Sequence, residues 1–366
     1  MHSVSLSNIR FNFTILLVFI LCFNALFEDS EAKKHHKKKK SKRKARQSGY
    51  ISGGGGNLWT LKSEASGSQI TDFFNFESVN QGSQGGIAQY VDLEEGYRSS
   101  IVGSKDGTLY LGVDTTKHAE NRKSIRISSK DTFSPGTLLV VDILHMPAAC
   151  GAWPALWTVA KDGEWPEHGE IDIIEGVNMF TQNSLSAHTK TGFWMKSTGF
   201  HSKFMLDGDQ QTNCDASATN DQGCGLRDPS QASFGEPFNA AKGGIHVMEW
   251  TNEAINIFFF PRDEVPGDIA SGHPSKSSSW GQPRARFQGS GGQSTGDYFK
   301  EHVLVINTNL CGQWPEGVWN SAATYAGQPK SCAAMTGYST CQDFIANAGD
   351  QLHEAYWAIK SVKVYN

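Results

Sequence analysis

The chain lacks any run of Ala, Leu, Glu and Lys of the kind a long helix needs, and only 19% of its residues are charged. With 38 Gly and 11% aromatic residues in 366, that composition disfavours a helical bundle and suits an all-β domain rich in turns. No CxxC occurs and no cysteine spacing follows a zinc pattern, which excludes the common structural zinc sites. No internal repeat is present, so one folded domain is expected. The longest largely apolar run, from Phe13 to Phe23, is bracketed by Asn12 and Asn24. It falls short of the roughly 20 apolar residues that span a membrane.

What is present begins with an asymmetry of charge. Residues 1–46 hold 11 basic and 3 acidic residues, which leaves 22 basic against 34 acidic in the remainder. The acidic body argues against nucleic acid or an anionic membrane as its partner, and a neutral polymer is compatible with it. Arg10, the apolar run and Ser30-Glu31-Ala32 read as an export signal over residues 1–32. The basic cluster behind it opposes translocation, so a signal-anchor is the alternative. Residues 33–56, a basic run ending in Ser-Gly-Gly-Gly-Gly, cannot bury apolar surface and read as a disordered segment. That segment reads as a solvated tail, with a processing site near Lys42-Arg43 or a tether to anionic wall polymers as the sharper alternatives. The folded domain is expected over residues 57–366, as a monomer, in an extracellular or wall location.

Cysteine usage agrees with export. Cys22 lies in the signal, and the remaining six suggest three disulfides. Cys214 and Cys224, and likewise Cys332 and Cys341, are near enough to close short loops.

Short runs with β-branched or aromatic residues at alternate positions recur at 108–113, 124–128, 137–143, 170–175, 244–250, 254–260, 303–307 and 361–365. Strands at this spacing predict a β-sandwich. Residues 202–237 and 265–295, rich in Gly, Ser, Asn and Gln, read as ordered loops on that scaffold.

The informative stretch is Gly169-Glu170-Ile171-Asp172-Ile173-Ile174-Glu175-Gly176. Its isoleucines demand burial, so its three acids should face a solvated groove. In a regular strand Glu170 and Asp172 share a face and Glu175 points the other way. A β-bulge near Ile173-Ile174 restores Glu175 to their side. Like charges so close cannot all ionise comfortably, so at least one pKa must rise. That division, one carboxylate and one protonated acid, is what glycoside hydrolysis needs, with about 5–5.5 Å between them in retaining enzymes. Spacing alone leaves open an edge strand showing its acids to water, or a calcium site.

The stretch, preceded by His-Met-Pro-Ala-Ala-Cys-Gly-Ala-Trp-Pro-Ala-Leu-Trp (145–157) and Trp165-Pro166, resembles the family-16 glycoside hydrolases, the fungal laminarinase or endo-1,3(4)-β-glucanase type in particular. Matching segments at 122–128, 187–189, 250–269, 280–283, 305–314 and 354–365 carry the likeness from about Asn57 to Asn366. The resemblance implies a concanavalin A-like β-jelly-roll with a long concave cleft. It also implies endo attack on β-1,3 or mixed β-1,3/1,4 glucan with retention, and neither metal nor other cofactor. By position, Glu170 looks like the nucleophile, Glu175 like the acid/base, and Asp172 like an assisting group between them. The alternatives are a glucan transglycosylase, which uses the same glycosyl-enzyme, and a non-catalytic glucan-binding protein, against which the intact glutamates argue.

Sugar rings present apolar C–H faces, so aromatic platforms are expected in such a cleft. Trp157, Trp165 and Trp280 stand where relatives carry cleft tryptophans, whereas Trp153 and Trp250 read as core. His188 matches an element beside the acid/base and is expected to contact Glu175 or the sugar; Asn178 and Arg126 complete the candidates. Two departures stand out: relatives carry cysteines near the positions of Gly192-Phe193 and Gly296, which implies one disulfide fewer and looser loops at one rim. No carbohydrate-binding module or glycosyl-anchor tail is expected.

Overall fold

Alternation along the strands decides which side chains meet. A computed structural model describes residues 58–79, 84–275 and 280–366. The signal expected over residues 1–32 and the basic segment over 33–56 lie outside the described residues. Two large antiparallel sheets dominate. The front sheet runs Lys203–Phe204, Leu226–Arg227, Ser184–His188, Glu170–Glu175, Ala152–Ala160, His302–Leu310, Arg126–Ser129, Phe74–Phe76. The back sheet runs Ala285–Gln288, Ala254–Pro261, Gly244–Trp250, Thr137–His145, Trp357–Tyr365, Thr108–Leu111, Val102–Lys105, with Leu61–Ser66 also paired to Trp357–Tyr365. This is the expected jelly-roll sandwich. Among the described residues the longest helix, Cys341–Asn347, has only 7 residues, about two turns, in keeping with the missing helix-forming runs. None among the described residues is long and apolar enough to cross a membrane.

Between the sheets, Ile127, Leu156, Ile171, Leu185, Leu304 and Ile306 from the front meet Leu139, Val141, Ile143, Ile257, Ile359 and Val362 from the back. Each such side chain contributes about 1.5–3 kcal/mol by leaving water. The back sheet has an apolar patch on its other face, where Leu138, Val140, Val247, Phe258 and Phe260 gather with Trp59 and Trp280, beside a polar strip of Glu249, Asn256 and Arg286. The second face of the front sheet presents Arg126, Asn307, Glu170, Asp172, Glu175, Ser186, His188 and Arg227, as the strand registers require.

The disulfides are Cys150–Cys332, Cys214–Cys224 and Cys311–Cys341. Three bridges and the Cys214–Cys224 loop match expectation, but Cys332 and Cys341 do not pair. Each instead ties the Cys-bearing segment after the His302–Leu310 strand to a partner farther off, around a satellite core of Trp319, Phe344 and Leu352. Residues 265–295 are not loop throughout, since Ala285–Gln288 edges the back sheet. At the rim where a disulfide is expected to be missing, buried Phe193 packs on Tyr298 and Phe299 with ring centroids 5.1 and 5.5 Å away. Gln293 Nε2 also donates to the Gly192 carbonyl at 2.9 Å. Aromatic packing therefore holds this rim together.

Candidate active site

The Glu170–Glu175 strand pairs regularly as far as Asp172, which opposes Ser186 on one neighbour and Trp157 on the other. The register then slips between Asp172 and Glu175, so that Glu175 opposes Ser184 and Ala155. This is the expected bulge, and it brings Glu170, Asp172 and Glu175 to one face. Asn183, which the sequence reading missed, pins it. Its Oδ1 accepts from the Glu175 N–H at 2.9 Å and its Nδ2 donates to the Ile173 carbonyl at 2.8 Å. A backbone thrown out of its ladder by the extra residue is thereby satisfied.

Each acid has its own surroundings. Trp165, 44% exposed, donates its Nε1–H to Glu170 Oε2 at 2.7 Å. Asp172 is buried, and its Oδ2 accepts from Ser186 Oγ at 2.5 Å and meets His188 Nε2 at 3.0 Å. Glu175 Oε1 accepts the Trp153 Nε1–H at 2.8 Å. Trp153, read as core, therefore belongs to the site; it stands two residues before Ala155, which opposes Glu175, and so shares its face. His188 engages Asp172 and not Glu175. Burial works against charge on His188, but the hydrogen bond and charge of Asp172, with Glu170 and Glu175 beyond, hold its pKa up at about 9.

Burial pushes both glutamates above the ordinary carboxylate range, and the neighbouring Asp172 charge adds to it. On Glu170, His188, the Trp165 hydrogen bond and Arg126 pull back toward the charged form. Glu175 is raised further. Glu170, Asp172 and His188 each offer a possible ligand atom, all within 4.8 Å of one another.

On one side of the acids, Trp157 donates its Nε1–H to Asn307 at 2.7 Å, and the Arg126 guanidinium lies over the Trp157 ring at 4.9 Å. Arg126 is held by Glu77 at 2.6 Å. Two candidates fall elsewhere. Trp280 is buried on the outer face of the back sheet, edge-on to Phe258 at 5.3 Å, with its Nε1–H on Asp268. It packs there because that patch is apolar, so it is no part of this site. Asn178 is 1% exposed and spends both amide atoms on backbone, accepting from the Gly151 N–H and donating to the Pro315 carbonyl. It ties loops together and cannot reach a sugar. A cavity of about 520 Å³ lined by Ser134, Asp162, His168 and Lys300 shares none of the site residues.

A β-sandwich with half-buried, pKa-raised glutamates and indoles gathered on one open face is that of a jelly-roll glycoside hydrolase. The chain belongs to glycoside hydrolase family 16: residues 74–365 match the family described as the XgeA-like, catalytic GH16 domain. It is 35% identical over 318 residues to an endo-1,3(4)-beta-glucanase of Arthroderma benhamiae, covering 85% of this chain and 65% of that one. It spans under half the length of the matching Aspergillus relatives. Among solved structures it resembles GH16 laminarinase 16A of Phanerochaete chrysosporium, with beta-glucans in donor and acceptor sites. That likeness has a TM-score of 0.74 and 33% identity, covering 84% of this chain and 100% of that one. An elongating GH family 16 beta-1,3-glucosyltransferase gives 0.73 and 36%, again over 84% and 100%.

Proposed function

We propose that the chain is an exported, endo-acting β-glucan hydrolase that cleaves β-1,3 or mixed β-1,3/1,4 linkages with retention, working as a monomer. Glu170 serves as nucleophile, Glu175 as acid/base, and Asp172 as the group that biases both. The observation that carries this reading is the bulge, which gives three acids of one strand a common open face.

The chemistry follows from their surroundings. In the first step the Glu170 carboxylate attacks the anomeric carbon while the glycosidic C–O bond breaks. Glu175 gives its proton to the departing oxygen. In the second step Glu175 takes a proton from water, whose oxygen bonds the anomeric carbon as Glu170 leaves. The reading needs charge on Glu170 and a proton on Glu175. The Trp165 hydrogen bond, His188 and Arg126 favour the first, and burial with the neighbouring Asp172 charge favours the second. Trp153 occupies one oxygen of Glu175, leaving the other for the transferable proton. Trp157 and Trp165 offer apolar rings to the sugar faces.

Azide separates the roles. With an activated aryl β-glucoside, Glu175→Ala should lose turnover on glucan yet recover with azide, giving the β-glycosyl azide. Glu170→Ala with azide should give the α-azide, because the anion then replaces the nucleophile on the opposite face. The reverse pattern swaps the roles, and no response from either variant removes the pair from catalysis. The 36% identity to a glucosyltransferase favours a second reading, in which the glycosyl-enzyme passes to another sugar. Products longer than the starting oligosaccharide at millimolar substrate would establish it.

A further inference from the structure

On the Glu175 side of the site an aromatic wall continues past anything the reaction above requires. Trp153, bonded to Glu175, meets Trp314 edge-on at 5.9 Å, Trp314 meets Phe180 at 6.0 Å, and Phe180 meets Tyr325 at 6.0 Å. Phe180 is buried, but Tyr325 is 59% exposed.

Arg227 fixes where the ring stands. In the front sheet Glu175 opposes Ser184, and Ser184 opposes Arg227, so all three share the open face. Two strand spacings put Arg227 roughly 10 Å from Glu175 along the sheet. Its Nη1 donates to Ser184 Oγ at 2.7 Å and to the Gln182 carbonyl at 3.1 Å. Its guanidinium lies over the rings of Phe180 and Tyr325, at 5.3 and 5.7 Å. One face of Tyr325 is thus backed by a cation that is itself anchored, while the ring stays open to solvent. The loop carrying it is anchored too, since the Thr181 N–H donates to the Ala326 carbonyl at 3.0 Å.

We infer that Tyr325, backed by Arg227, is a platform for a glucosyl unit of the polymer, on the side of the acids opposite Trp157 and Arg126. An apolar sugar face covers the exposed ring, and the buried Arg227 holds that ring in place from behind. The platform lengthens the site and makes chain length count. It rests on the glucanase reading.

The test uses the full chain carrying Glu170→Gln, so that binding is measured without turnover, and a ladder of β-1,3-gluco-oligosaccharides in calorimetry. Tyr325→Ala should weaken the heptasaccharide roughly fivefold to tenfold and the disaccharide about twofold or less, and Tyr325→Trp should restore affinity. Equal losses at every length, no loss at any, or no recovery with Trp would overturn the platform. Failure of the glucanase reading shows differently: the chain with Tyr325 intact then binds no member of the ladder, which overturns both.

Discussion

Two histidines, each more than nine-tenths buried, sit on opposite sheets and end in opposite states. His188, on the open face of the front sheet, is held charged, with its pKa up at about 9. His246, on the back sheet, stacks on Phe259 at 4.7 Å, faces Phe238 at 5.9 Å, and has no hydrogen-bond partner at either nitrogen among the described residues. Burial, helped by the Arg284 charge, pushes it down to about 3. Desolvation acts downward on both; the Asp172 carboxylate decides the difference. His302 lies between, down at about 4, with Thr158 and the His168 carbonyl as neutral partners. Stability and function are therefore segregated by sheet face, and pH acts on them with opposite signs.

The largest effect should come from breaking the charged side. Asp172→Asn should cut turnover on glucan roughly 10²-fold and return His188 toward an ordinary imidazole. A titration of the His188 ring by NMR checks it, and a pKa still near 9 would mean that Asp172 is not the cause.

The neutral side gives the next largest. An unfolded histidine titrates near 6.5, so the stability that neutral His246 contributes is present above that pH. It is lost as pH falls toward 3. His188 runs the other way, its contribution present below 6.5 and lost as pH rises through 9. His246→Phe should then flatten the acid limb and add about 2 kcal/mol at pH 5, read by urea unfolding. An unchanged acid limb would sink the assignment.

The smallest effect concerns Glu170. Its folded pKa is raised, so the stability it lends is present below the unfolded value and lost as pH rises through the folded one. Glu170→Gln never ionises, so the variant should be the more stable by on the order of 1 kcal/mol at pH 8, with screening at this half-buried group limiting the gain. A lower urea midpoint than the parent would contradict it.

Much of this was legible in the order of residues. Glu170–Glu175 and Gly244–Trp250 are strands to the residue, because glycines flank the first at both ends, while Gly243 opens the second and Asn252 follows its end. Ala152–Ala160 was not, although it pairs with the Glu170–Glu175 strand: Pro154 argues against a central strand. It is tolerated because the ladder to that strand stops at Ala155, so Pro154 has only His302–Leu310 beside it. The acids could be read because charge among isoleucines has to be explained. Trp153, Asn183 and Ser186 could not, since each is an ordinary residue until another strand brings it to an acid. Trp280 misled because a tryptophan near a matched motif carries no sign of which sheet face it will take.

The slip at Ile173-Ile174 can be restated as a rule of parity. A strand sorts its residues into odd and even, and Glu170 and Glu175 belong to opposite classes. One inserted residue changes the class of everything after it, so Glu175 is sorted with Glu170 only because the count is broken once between them. Deleting Ile173 or Ile174 alone would leave three acids at an even spacing in an unbroken strand, still on one side. Deleting both would keep the odd count and, with no bulge left to correct it, turn the last glutamate inward among Ile171, Leu156 and Leu185.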